Sequence, residues 1–296
     1  MTTLPKVSFV LPSYNYARYM QFGIGSILGQ DYENIEVIIV DDASSDDTPD
    51  VARQLCERDS RVRYLRHETN VGPVANWNTC LAEATGELVW LISADDALAS
   101  SQAVSRFVRR FQENPSVGFV FCRAQIIDQD DVPQQKWIPR KDSSFPSVEV
   151  PTLYKGQTFF GELAKSNFVP VLGTMARREC YEKTGGFVPD LIHCGDWYNW
   201  LRFSLHWDVF YEPEAMAYYR QHTTNLSRNY ADRKYPLENA LLCYRHLRDY
   251  IRSNQLPPEL LKAVDVAEIV FRKEKKMPHT LTQKVKYRLL KLAGQL

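Results

Sequence analysis

Over its first 125 residues the chain alternates short β-prone runs with helix-patterned segments, and that alternation leaves few folds open. Residues 7–11 (VSFVL), 36–40 (EVIIV), 61–65 (RVRYL), 87–92 (ELVWLI) and 117–121 (VGFVF) read as strands. The apolar ones among them lack polar alternation, as expected where a strand is covered on both faces. Helical spacing fills residues 18–29, 48–58, 76–84 and 102–113; in the first, Met20, Ile24, Ile27 and Leu28 fall on one side. Residues 44–50 carry helix N-cap chemistry before the second, and Gly86 ends the third. Strand and helix alternating at this spacing imply βαβ units on a parallel sheet.

Beyond residue 125 the pattern loosens. Residues 128–152 are rich in Asp, Gln, Lys, Ser and Pro and read as an excursion or flexible loop. Residues 168–176 are apolar and irregular, 195–205 resume helical spacing, 208–219 give strand-like pieces, and 236–292 look helical.

In open parallel sheets ligands bind at the carboxyl ends of the strands. The polar clusters fall there: Pro12, Ser13, Tyr14 and Asn15 after the first strand, Asp41-Asp42 after the second, Asp95-Asp96 after the fourth. Adjacent carboxylates closing a buried strand repel one another and lose hydration. A divalent cation carrying phosphates relieves that; the plainer reading is a helix N-cap. Asp41 and Asp42 divide the same way, between accepting a nucleobase N–H and capping the next helix. Asn70 and Gly72, with Asn76 and Asn78 beyond, mark either a close backbone approach to a ligand or an ordinary turn. Gly195-Asp196-Trp197 opens a helix, where one carboxylate serves as cap or as catalyst, and His222 is either structural or a ligand. The Gly-x-Gly-x-x-Gly turn of dinucleotide enzymes is absent after the first strand.

The 36 basic and 36 acidic residues of this 296-residue chain cancel, so no global field argues for nucleic acid. The six scattered cysteines show no metal spacing and read as reduced thiols, which with the lack of a leader or of about 18 consecutive apolar residues suggests a soluble cytoplasmic protein. Residues 272–291 hold eight Lys or Arg against Glu274, with Leu281, Val285, Leu289 and Leu292 on one helical face. Such a helix lies on anionic lipid or packs against the protein.

Taken in order, VSFVLPSYN, IEVIIVDDASSDDT, NVGPVANWN, ATGELVWLISADD, GTMARRECYEKTGGF, GDWYNWLR and YYRQH resemble the family 2 glycosyltransferases across about residues 6–228. The resemblance implies an α/β fold of GT-A type, a Rossmann-like, mostly parallel sheet flanked by helices with a helical C-terminal extension. It implies a nucleotide-binding half over about 1–125, an acceptor half over about 126–230, and the extension over 231–296. The implied activity is inverting transfer from a nucleotide-sugar, UDP-sugar foremost, to a hydroxyl of a carbohydrate or lipid-linked acceptor, with Mn2+ or Mg2+. It assigns the nucleotide to Pro12, Ser13, Tyr14, Asn15, Asp41, Asp42, Asn70, Gly72, Asn78, Ala94 and Asp95, the metal to Asp95, Asp96 and His222, and the catalytic base to Asp196. With a lipid-linked acceptor, the basic helix would place the protein at the inner membrane face. Two positions depart from the family pattern: Ser93 replaces an acid, and Gly195 stands where a second acid usually precedes Asp196. Those departures favour the rival reading, a nucleotide-sugar binding module that has lost turnover.

Overall fold

The computed structural model describes residues 4–139, 148–225 and 234–275. The expected alternation is present: β1 (Val7–Ser13), α1 (Ala17–Leu28), β2 (Ile35–Asp41), α2 (Thr48–Arg58), β3 (Val62–Arg66), α3 (Pro73–Glu83), β4 (Leu88–Leu91), the two-residue β5 (Ala97–Leu98), α4 (Ala103–Glu113) and β6 (Val117–Ile127). Then come β7 (Pro133–Ile138), β8 (Thr152–Tyr154), α5 (Gly156–Leu163), β9 (Thr174–Arg177), α6 (Arg178–Thr184), α7 (Gly195–Ser204), β10 (Asp208–Arg220), α8 (Lys234–Ser253) and α9 (Glu259–Glu274).

One mixed sheet runs β3-β2-β1-β4-β9-β6-β10-β5. The strands β3, β2, β1 and β4 are parallel, with Val7 opposite Ile35 and Ser13 opposite Asp41 fixing the register of β1 on β2. The insertion of β9 antiparallel between β4 and β6 restores the parallel direction to β6 and β10.

Each central strand feeds two cores. Val10, Ile38 and Val40 join one face with Phe119, Phe121 and Trp200, while Phe9, Leu11, Val37 and Ile39 join the other with Trp90 and Phe107. Side chains alternate faces along a strand, so burial on both faces produces the unbroken apolar runs. Trp90 stacks between Phe9, at 5.5 Å, and Phe107, at 4.7 Å, and its indole N–H donates to the Leu172 carbonyl at 2.7 Å.

The second half contains more regular structure than its sequence suggested. Within the segment read as irregular, residues 174–177 form β9. The excursion after residue 128 forms β7, which folds back on β6, and contributes β8, which pairs with β10. The strand-like pieces are one 13-residue strand, β10, whose register against β6 shifts on either side of Ala215. Helices α5 and α6 were not expected. Cys243, Tyr244 and Leu247 of α8 and Val264 and Phe271 of α9 pack in the same core as Trp200, so the C-terminal helices share the sheet's hydrophobic layer. Most of the basic segment lies outside the described residues. Among the described helices none is long and apolar enough to cross a membrane.

Candidate active site

The carboxyl ends of β1, β2 and β4 open into a cavity of about 660 Å3 that extends to the first turn of α7. The loops at its floor are tied to one another. Asn15 adopts a left-handed φ of 59°, which Asn tolerates, and its Oδ1 accepts the Ser45 N–H at 2.8 Å while its own N–H donates to Ser44 Oγ at 2.8 Å. The loops after β1 and β2 thus brace each other.

Asp41 and Asp42 separate into different roles because successive residues at a strand end point to opposite sides. Asp41 is fully buried, accepts from the Ser44 hydroxyl and amide and from the Tyr64 hydroxyl at 2.7 Å, and lies 3.4 Å from Arg66 Nε. Asp42 lines the cavity and accepts the Val71 and Gly72 amides at 2.7 and 3.0 Å, while Asn70 Nδ2 returns a bond to the Asp42 carbonyl at 3.1 Å. Gly72 sits at φ +84°, a conformation glycine takes without strain.

At the end of β4, Asp96 N–H closes a turn onto the Ser93 carbonyl at 3.0 Å. Asp95 Oδ2 lies 2.9 Å from His222 Nε2, with Asn225 Nδ2 at 3.4 Å, whereas its buried Oδ1 has no hydrogen-bond partner among the described residues. Asp96 Oδ1 accepts the Arg220 amide at 3.0 Å, and the fully buried Arg220 donates through Nε to the Asp95 carbonyl at 2.7 Å. Burial and the Asp95 charge push the Asp96 carboxyl well above the usual range, against the opposing pull of Arg220. Burial and the same two carboxylates raise the neighbouring Tyr16 phenol.

Asp196 is the second residue of α7 and only partly exposed. Its Oδ1 accepts its neighbour's amide, Trp197 N–H, at 2.7 Å, and its Oδ2 accepts Asn167 Nδ2 at 3.1 Å. Burial lifts its carboxyl to about 6 despite both bonds, which favour the charged form. At Gly195, where the second acid is missing, a Cβ would stand 3.0 Å from Phe187 Cδ1, so a side chain there would need that ring to give by a few tenths of an ångström.

Of the residues singled out from the sequence, Pro12, Ser13, Tyr14, Asn15, Asp42, Asn70, Asp95, Asp96 and Asp196 meet in the cavity wall. Asp41, Gly72, Asn78, Ala94 and His222 are not in it. Ala94 N–H donates to the Pro12 carbonyl at 3.3 Å, and His222 stands behind the wall, against the lining residues Asp95, Thr224, Asn225 and Tyr16. Asn78 instead exchanges two bonds with the Phe187 backbone, both 2.9 Å. Among the described residues no group of three or more His, Cys, Asp or Glu is arranged to enclose a metal ion, so Asp95, Asp96 and His222 do not form a closed cage. Sequence reasoning missed Tyr16, Trp77, Phe187, Ile192, His193 and Asn225, which also line the cavity. The signal for Trp77 was its spacing: Pro73, Asn76 and Trp77 fall at i, i+3 and i+4 on α3 and all line the cavity.

With this geometry in place, likeness to other proteins becomes informative. The model of glycosyl transferase family 2 matches residues 8–185. An uncharacterized protein of Mycobacterium tuberculosis is 32% identical over 241 residues, covering 79% of this chain and 73% of its own. Against other mycobacterial relatives, at 28% identity, the chain spans 62% of their length. Among solved structures, S. aureus TarS in complex with UDP-GlcNAc superposes with a TM-score of 0.66 at 19% identity, over 90% of this chain and 71% of that one. The mannosyltransferase PcManGT from Pyrobaculum calidifontis, in complex with GDP-Man and Mn2+, gives 0.62 at 19% identity, over 99% and 81%. At those identities the superpositions establish the GT-A fold, and the family match over more than half of the sequence places the chain itself: it belongs to glycosyl transferase family 2.

Proposed function

We propose that the chain transfers a sugar, with inversion, from a nucleotide-sugar to a hydroxyl of a carbohydrate or lipid-linked acceptor, UDP-sugar being the foremost donor. The observation that carries this reading is that the strand-end carboxylates Asp42, Asp95 and Asp96 share one cavity with Asp196, which comes from a distant part of the chain. Pro12, Ser13, Tyr14, Asn15, Asp42 and Asn70 would surround the nucleoside.

The residues present fit a divalent cation bound together with a diphosphate. Among the described residues Asp95 keeps a buried carboxylate oxygen without a partner, and those lining the cavity include no Lys or Arg to balance phosphate charge. Asp95 and Asp96, with His222 beside them, would hold Mn2+ or Mg2+, which when bound neutralises charge on the departing diphosphate. An open protein site agrees with hard cations taking part of their shell from substrate phosphate.

Asp196 would take the acceptor proton. The acceptor oxygen forms its bond to the anomeric carbon, the carbon–oxygen bond to the diphosphate breaks, and the hydroxyl proton passes to the Asp196 carboxylate. A carboxyl raised to about 6 is a stronger base than an ordinary aspartate yet still ionised at neutral pH. TarS and PcManGT were solved with UDP-GlcNAc and with GDP-Man and Mn2+, which supports a nucleotide-sugar donor here. The basic segment at 272–291 would add contact with an anionic membrane surface, testable by vesicle binding of the chain truncated after Phe271.

The test is calorimetric titration with UDP, GDP and TDP with and without Mn2+, alongside release of nucleoside diphosphate from the matching sugars. Nucleotide binding that tightens with Mn2+ and loses that dependence in folded Asp95→Ala is the expected result. Unaltered metal-dependent affinity in the variant would remove the metal assignment. Binding without any turnover would favour the degenerate binding module.

A further inference from the structure

The cavity has two chemically different walls. The strand-end wall is polar and acidic. The other includes Trp77 and Phe187, which stand against Gly195 next to Asp196, while Ile192, Val171 and Leu172 add apolar lining to the cavity. Trp77 and Phe187 pack at 5.1 Å with their planes tilted by 56°. Trp77 remains partly exposed, and its Cζ3 would lie 3.6 Å from a Cβ at Gly195, the residue immediately before Asp196. A side chain at 195 would crowd the Phe187 ring, with Trp77 at ordinary contact distance, so the pair stands directly against the start of α7. Asn78 fixes the pair by binding both backbone groups of Phe187.

From this juxtaposition we infer that Trp77 is a specificity-determining residue, the platform on which the acceptor sugar stacks an apolar ring face, and that this sugar is uncharged. The inference rests on the glycosyl-transfer reading above and adds the class of acceptor. A pyranose has one face of C–H bonds and a rim of hydroxyls, so it matches an indole beside a carboxylate that takes a hydroxyl proton. An aromatic ring supplies a large contact area with a defined plane at small entropic cost. Charge points the same way. Asp42, Asp95, Asp96 and Asp196 all line the cavity without a Lys or Arg among the described lining residues. An acceptor bearing its own carboxylate would meet like charge next to Asp196 in a partly desolvated site.

The experiment uses the full chain saturated with Mn2+ and whichever of UDP, GDP or TDP binds. Probes are methyl β-D-glucopyranoside, methyl β-D-galactopyranoside, methyl α-D-mannopyranoside and methyl β-D-glucuronide, read by saturation-transfer NMR and titration. The expected result is that at least one neutral glycoside binds, with saturation concentrated on ring C–H protons, and that the glucuronide does not. Trp77→Ala and Trp77→Leu should each weaken that glycoside about tenfold with nucleotide affinity unchanged, and Trp77→Phe should retain most of it. The leucine variant keeps apolar volume and loses the ring face, so it separates stacking from packing if the alanine variant proves unstable. Nucleotide binding without any glycoside binding overturns the inference, as does a glucuronide that binds equally well. So does glycoside affinity that survives Trp77→Leu, or a nucleotide affinity that falls in step with it. Failure of all three nucleotides to bind overturns the underlying glycosyl-transfer reading itself.

Discussion

The two sides of the cavity are made differently. On the strand-end side, Ser13, Asp42 and Asp95 come from the ends of β1, β2 and β4, parallel strands with β1 between the other two and all within the first 95 residues. Asp42 there is held by two backbone amides of the next loop, and Asp41, outside the cavity wall, ties the same strand end to Ser44 and Tyr64. On the other side Asp196 sits at the end of a long excursion through β6 to α6, held by one neighbouring amide and one asparagine. The first side is a cradle assembled locally; the second is one carboxylate, the proposed base, positioned by tertiary packing. A shared donor chemistry needs the former, and acceptor choice can vary through the latter, since loops and helices at strand ends change without disturbing the sheet.

If that contrast is correct, removing the proton acceptor on the second side should have the largest effect and leave the first side intact. Asp196→Asn should lower turnover by about 10²–10⁴-fold, measured by diphosphate release once an acceptor is in hand, with nucleotide affinity preserved. Near-normal turnover in the folded variant would move the base elsewhere. Conversely, the cradle depends on its core. Trp90→Ala removes a ring stacked between Phe9 and Phe107 and frees the Leu172 carbonyl, so it should cost about 3–5 kcal/mol in denaturant unfolding. A loss below about 1 kcal/mol would show that this layer relaxes around the gap.

The link between the sides offers a smaller, sharper test. Asn78→Ala leaves the Phe187 N–H and carbonyl unpaired in a mostly buried setting, at about 1–3 kcal/mol. Because Phe187 supports Trp77, sugar binding should weaken while nucleotide binding holds. Equal loss of both would mean that the two walls are not independent.

Legibility in the sequence follows the same division. Residues 7–11 and 36–40 were readable as strands because burial on both faces leaves an unbroken apolar run, and their ends marked the cavity. Which of Asp41 and Asp42 faces that cavity was not readable, since register decides it and adjacent residues differ only in side. The four residues of β9 follow a Pro170…Gly173 turn but pair with strands far off in sequence, so their antiparallel role rests on tertiary contacts. Trp77 was passed over beside the more conspicuous asparagines of its motif, although its helical spacing from Pro73 was available. His222 was noticed, but its bond to Asp95 required 127 residues of chain to close.

The smallest expected effect concerns the charge on Asp196. Its carboxyl is raised to about 6 by burial, so the folded state holds a proton more tightly than the unfolded chain does, where the ordinary value of 3.8 applies. Its contribution to stability is therefore fully present below about pH 4 and lost as pH rises through about 6. A shift of about two units corresponds to at most about 3 kcal/mol, and partial exposure reduces this to about 1 kcal/mol. Asp196→Asn, which has no proton to lose, should unfold at higher denaturant than the parent at pH 8, with the gap closing by about pH 4. Turnover of the parent should show the complementary limb, falling about tenfold per unit below pH 6 and level above it. The carboxylate that the fold tolerates at a cost is the form the proposed reaction uses, so stability and rate should change in opposite directions across one pH window. A stability gap independent of pH, together with a rate that ignores this window, would show that Asp196 is an ordinary helix cap.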